Sequence, residues 1–245
     1  MNHLNYLYYL TYLTHLTHIL TILLLIPFGG MAQTNDSTLL KSVPYCAEAH
    51  QFQASGVIAP ATLITLGSVG TFNPWLSEQR MALNDALQAD GHKKLHFDDY
   101  IQYAPAVSVY ALKLCGVESR HNYRDITCLM AGSYISTLIL TQVPKFAFNI
   151  ERPNGGSHSF PSGHTATAFT GAELLRREYG KEYPYIAVAG YAVATTVAVM
   201  RVYNNAHWAT DVLAGAGVGI LSTSLAYWLA PYLTIKPTKK PVISD

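Results

Sequence analysis

Uncharged runs alternate with short polar connections along most of this chain. Residues 56–72 carry no Asp, Glu, Lys or Arg and are interrupted only by Pro60. Residues 126–143 are eighteen in a row without a charge, close to the length a helix needs to cross a hydrocarbon layer. Residues 185–200 and 212–233 are two further uncharged runs, while 165–175 is apolar and rich in small residues but too short to cross alone. Nowhere does the two-residue alternation of a half-buried strand persist. The pattern therefore predicts an all-α protein, a bundle of about six core helices embedded in a membrane.

The connections carry start and stop signals. Residues 73–99 are a polar excursion with Trp75 and several charges. Asp98 or Asp99 is expected to cap a helix over about residues 100–114, with Pro105 early enough to be tolerated. Residues 116–124 form a charged turn, 154–159 a Gly/Ser-rich loop, and Gly180 a stop after 165–175 and its basic tail. Gly215, Gly217 and Gly219 leave room for close helix approach. At the start, residues 1–24 are biased toward Leu, Tyr, Thr and His, and Gly30-Met31-Ala32 places small residues where an export signal is cleaved. No Lys or Arg precedes that apolar core, so an uncleaved anchor fits as well. The expected organisation is 1–32 signal or anchor, 33–55 polar leader, 56–235 helical domain and 236–245 polar tail.

Composition narrows the class. Half of the residues are hydrophobic and 13% charged, which is poor in charge for a soluble domain. A net charge of +1 offers no footprint for nucleic acid. Cys46, Cys115 and Cys128 lack metal-ligand spacing; Cys115 and Cys128 flank a short turn and could pair in an oxidising compartment.

The chemistry lies between residues 145 and 211. Lys145 is followed by Arg152-Pro153, then Pro161-Ser162-Gly163-His164, then Arg201 with His207 and Asp211. Pro161 suits a helix start, and the amides of Ser162 and Gly163 at such an end would bind an anion. His164 in the first turn could protonate a departing alkoxide. If His207 opens a helix, Asp211 at i+4 shares its face and can hold one ring nitrogen, leaving the other to attack phosphorus. Lys145 and Arg152, two turns apart on a helix ending at Pro153, would face one way and join Arg201 around phosphoryl oxygens.

These residues resemble the type 2 phosphatidic-acid phosphatase superfamily, which includes bacterial acid phosphatases and vanadium haloperoxidases. Its signature is Lys, six residues, Arg-Pro; Pro-Ser-Gly-His; and Ser-Arg, five residues, His, three residues, Asp. All three parts match except that Met200 stands at the Ser position. The resemblance implies a phosphoric monoester hydrolase with His207 as nucleophile, Asp211 its orienter and His164 the general acid. Lys145, Arg152, Ser162, Gly163 and Arg201 would form the phosphate cradle, without metal or other cofactor. The expected partners are a lipid phosphate or pyrophosphate and a membrane, with no nucleic acid and no obligate protein partner. A soluble periplasmic acid phosphatase, a vanadate-dependent haloperoxidase and a silent membrane scaffold are the alternatives. The basic turns at 120–124 and 176–181 lie at the end opposite the motifs and point to a periplasmic site on the bacterial inner membrane. That topology requires one apolar stretch not to cross, and 56–72, with Pro60 and three glycines, is the expected one.

Overall fold

The structure, a computed structural model, describes residues 55–89, 91 and 93–229. The expected leader segments up to residue 54, Cys46 and the tail beyond residue 235 lie outside the described residues. Eight helices follow in order: α1 (Ser55–Phe72), α2 (Pro74–Gln88), α3 (Asp98–Ile101), α4 (Ala104–Leu114), α5 (Tyr123–Phe148), α6 (Gly163–Tyr179), α7 (Pro184–Tyr203) and α8 (Ala209–Trp228). The chain is all-helical over the described residues, as the hydrophobic pattern predicts.

α5 shows how sequence sets orientation. Asn122 caps it by accepting from the Asp125 amide at 2.9 Å, and Asn149 ends it in the left-handed region at φ 43°. Ile126, Leu129, Ser133, Thr137, Thr141 and Lys145 are its buried residues, spaced three or four apart along one stripe. Ile135, Leu138, Ile139, Val143 and Phe146 are exposed on its other side. An outward row of large apolar side chains on a 26-residue helix is a lipid-facing surface. α5, α7 and α8 are each long and apolar enough to cross a membrane, and α1 with α2 passes as a pair bent by 90°. The protein is a membrane protein.

α8 is the hub, packing on α1, α5 and α6. Its glycines make this possible. A Cβ on Gly215 would lie 2.6 Å from the Ser162 carbonyl at the start of α6, and one on Gly217 would lie 2.6 Å from the Pro60 carbonyl of α1. Gly219 faces the Ala166 carbonyl equally closely. The sequence spacing thus serves two neighbours at once, α6 through Gly215 and Gly219 and α1 through Gly217. α6 is shielded by α4, α5, α7 and α8 and carries Glu173, which accepts from Arg176, Arg177 and Tyr191 at 2.6 to 2.7 Å.

Three expectations change. Residues 74–88 are helical: Asn73 accepts from the Leu76 amide at 3.1 Å, with Pro74 in the first turn. The expected helix over 100–114 is broken into α3 and α4, and neither Asp98 nor Asp99 caps it; Phe97 is the N-cap, without a side-chain bond. Both carboxylates are held by tertiary partners instead. Arg176 and Arg177 do not form an open basic turn but fold onto buried Glu173. α1 lies along α8, with Ser224 Oγ donating to the Gly56 carbonyl at one end and Gly70 against Thr210 at the other; by itself it is not among the helices long and apolar enough to cross. α4, with 11 residues or about 17 Å, is too short to cross a core of roughly 30 Å alone.

Candidate active site

Strict alternation of direction brings the motifs together. α5 ends near Lys145, α6 begins at Gly163, α7 ends near Arg201 and α8 begins at Ala209, so all of these termini meet at one end of the bundle. Direct bonds join the blocks. The Ser162 amide donates to the Asp211 carbonyl at 3.0 Å, and Lys145 Nζ donates to the carbonyls of His158 at 2.7 Å and Ser159 at 3.3 Å.

His207 precedes α8 rather than opening it. The residue is 1% exposed, with Nδ1 3.5 Å from Asp211 Oδ2, an ion-pair distance rather than a short hydrogen bond. The same carboxylate oxygen accepts from the Trp208 amide at 3.0 Å and from Ser159 Oγ. Ser159 Oγ also lies 3.4 Å from His207 Nδ1. Asp211 is wholly buried and fixed by the start of its own helix. Burial pulls the His207 pKa down to about 4; Asp211 works in the opposite direction, while Lys145 and Arg152 add to the lowering.

Arg152 is not on the helix of Lys145, because α5 stops at Phe148. Its side chain comes from a loop. The Arg152 amide donates to the Gly156 carbonyl at 2.7 Å, Nε donates to the Ser157 carbonyl at 3.0 Å, and Gly155 turns the chain at φ 82°. Burial first, and then the nearby charge of Arg201, lower the Arg152 pKa. Convergence of the two cations is therefore a product of the loop.

At the start of α6 the Ser162 amide is already used by Asp211, so the expected pair of free amides is reduced by one. Ser162 Oγ lies 3.0 Å from Thr165 Oγ1. A Cβ on Gly163 would meet nothing within 4 Å, so the first turn opens onto free space, where its N–H groups lack intrahelical partners. His164 Nε2 is 2.9 Å from Asp99 Oδ1. Its pKa is lowered by burial and by Arg201, against the pull of Asp99 and Asp98. Arg201 Nη1 donates to Asp98 Oδ2 at 2.8 Å and Asp99 Oδ1 at 3.1 Å. Arg201 Nε is buried without a hydrogen-bond partner.

Sequence reasoning did not single out Ser159, Asp98, Asp99, Asn204 or Trp208 as site residues. Asn204 Nδ2 donates to Asp98 Oδ1 at 3.0 Å, and Trp208 Nε1 donates to the Glu151 carbonyl at 2.8 Å. Cys115 and Cys128 are unpaired thiols.

Fold and site define a class: a helical membrane protein whose bundle end gathers cations, a helix start and two histidine–carboxylate pairs. The chain belongs to the PAP2 superfamily, whose family model matches residues 126–235. It is 30% identical over 143 residues to the lipid A 1-phosphatase of Helicobacter pylori, covering 53% of this chain and 70% of that one. Over 95 residues it is 50% identical to the lipid A 1-phosphatase of Porphyromonas gingivalis, covering 38% of this chain but only 21% of that relative's length. Among solved structures, the PAP2-type phosphatidylglycerolphosphate phosphatase of Bacillus subtilis aligns with a TM-score of 0.48 and 20% identity, covering 73% of this chain and 98% of that one.

Proposed function

We propose that this protein hydrolyses a lipid-linked phosphate or pyrophosphate through a phosphohistidine on His207, at the periplasmic face of a bacterial inner membrane. The observation that carries this reading is the junction of the three motif blocks around His207. The Ser162 amide is bonded to Asp211, and the ring is close enough to Lys145 and Arg152 for both charges to act on it.

Asp211 beside Nδ1 leaves Nε2 of His207 to attack phosphorus. Lys145, Arg152 and Arg201 gather the phosphoryl oxygens with the amides at the start of α6, where Gly163 leaves room. The Ser162 hydroxyl can accept from Thr165 and direct its own proton to the same oxygens. His164 supplies the proton that the departing oxygen needs, and water then cleaves the phosphorus–nitrogen bond. Three fixed cations provide the charge that a metal would otherwise supply, so EDTA is expected to leave the rate unchanged.

Lipid A carrying a 1-phosphate is the first substrate to try, since two relatives bear that activity in their names. In detergent, phosphate release is measured from lipid A, phosphatidate, phosphatidylglycerol phosphate and a polyprenyl pyrophosphate. Release from at least one, lost in His207→Ala, with acid-labile phosphate trapped on the wild-type protein, is the expected result. No release from any of them, or undiminished release by His207→Ala, refutes the reading.

A further inference from the structure

The carboxylates at the start of α3 belong to neither the proposed cradle nor the His207–Asp211 pair. They differ from each other. Asp98 is wholly buried and closes on Arg201 and Asn204, so it fixes the end of α7. The Asp99 side chain is 43% exposed, and its Oδ1 stands 2.9 Å from His164 Nε2 and 3.1 Å from Arg201 Nη1. One oxygen at the opening therefore touches both the proposed acid and a proposed phosphate cation. The arrangement complements the other side of the site. Asp211 is beside Nδ1 of His207, whereas Asp99 is beside Nε2 of His164. Opposite nitrogens are left for the phosphorus and for the departing oxygen.

We propose that Asp99 is a positioning residue for proton donation: its carboxylate holds the Nε2–H of His164 so that Nδ1 presents its proton to the leaving alkoxide. This rests on the phosphatase reading above. When the phosphorus–oxygen bond breaks, its electron pair stays on oxygen, and the Nδ1 proton moves to that oxygen to give the free alcohol. His164 is left neutral, with Nε2–H still on Asp99. In the second half, Nδ1 takes a proton from the water that attacks phosphorus, the phosphorus–nitrogen pair returns to His207, and the imidazolium is restored. The charged groups facing His164 are Asp98 and Asp99 from α3 and Arg201 from α7. Burial and Arg201 disfavour the imidazolium while the two carboxylates favour it, so Asp99 also keeps the donor charged to higher pH.

Leaving-group dependence tests this in the full-length enzyme. Dodecyl phosphate needs a proton on its departing oxygen; p-nitrophenyl phosphate departs as a stable phenolate. kcat/KM is the readout, because it reports steps through the first phosphoryl transfer. General acids contribute about 10²- to 10⁴-fold, so Asp99→Asn is expected to lower kcat/KM for dodecyl phosphate by roughly 10- to 100-fold and for p-nitrophenyl phosphate by less than about threefold. The alkaline limb of its pH profile shifts to lower pH, and adding Asp99→Asn to His164→Ala costs nothing further. Equal losses on both substrates, or a full additional loss in the double variant, overturn the proposal alone, since a collapse of the Arg201 site would produce either. Retained turnover by His207→Ala overturns the hydrolase reading and this proposal with it. Asp99→Ser carries the same test if the Asn variant cannot be purified.

Discussion

In the proposed mechanism two imidazoles have opposite requirements. His207 must be neutral to attack, and with a pKa of about 4 it loses its lone pair only as pH falls through that value. His164 must be charged to donate, and its pKa is lowered from the ordinary 6.5, so the acid form is lost before pH 6.5 is reached. kcat/KM is therefore expected to rise through about pH 4 and fall below 6.5, a bell on the acid side. A rate that is flat from pH 5 to 8 would contradict these assignments. Asp211→Asn keeps the shape that accepts from Trp208 but removes the charge beside His207. It is expected to cut kcat by roughly 10²- to 10⁴-fold with KM changed less than about threefold. Every residue of the three motif blocks was legible in the sequence because their spacings constrain one another. Ser159 and Asp99 were not, since a serine in a Gly/Ser loop and an Asp before a helix have ordinary local uses. Their partners lie 48 and 52 residues away for Ser159 and on another helix for Asp99.

Helix contacts carry the site, and two glycines separate stability from chemistry. Gly215→Ala pushes a methyl group into the Ser162 carbonyl, Gly217→Ala into the Pro60 carbonyl. Each is expected to cost about 1–3 kcal/mol, read as a lower Tm in detergent. Only Gly215→Ala also lowers kcat, because it displaces the start of α6; equal kcat in the two variants would argue against that coupling. Uncharged runs revealed α1, α5, α7 and α8, since lipid-facing and core-facing sides are both apolar. α2 escaped notice because its composition is polar and it buries only Leu83 and Asn84, although Asn73-Pro74 was a readable start. The break between α3 and α4 was hidden because Asp98 and Asp99 match a capping signal yet bind Arg201 and His164.

Across the membrane, the site end and the Cys115 end are opposed: Cys115 precedes the turn into α5, and Lys145 ends that helix. Cys115 is exposed. In a variant with Cys46→Ser and Cys128→Ser, an impermeant maleimide is expected to label Cys115 in inverted inner-membrane vesicles and not in intact spheroplasts. The reverse pattern would place the opening toward the cytoplasm. The protein should also stay in the pellet after alkaline extraction. Basic turns alone were a weaker guide than they seemed, since Arg176 and Arg177 share one buried glutamate.

The right-angled turn at Asn73 lays α2 over the ends of α7 and α8. Arg80 stacks 4.9 Å from the Trp208 ring, Gln88 Nε2 donates to the Tyr203 carbonyl at 3.1 Å, and the Leu95 amide donates to Asn204 Oδ1 at 2.9 Å. Residues 74–89 and 93–97 thus form a sill beside the proposed site, joined to it by a few polar threads. Grafting the equivalent stretch from another PAP2 protein should exchange which lipid is admitted while p-nitrophenyl phosphate, small enough to ignore the sill, is hydrolysed as before.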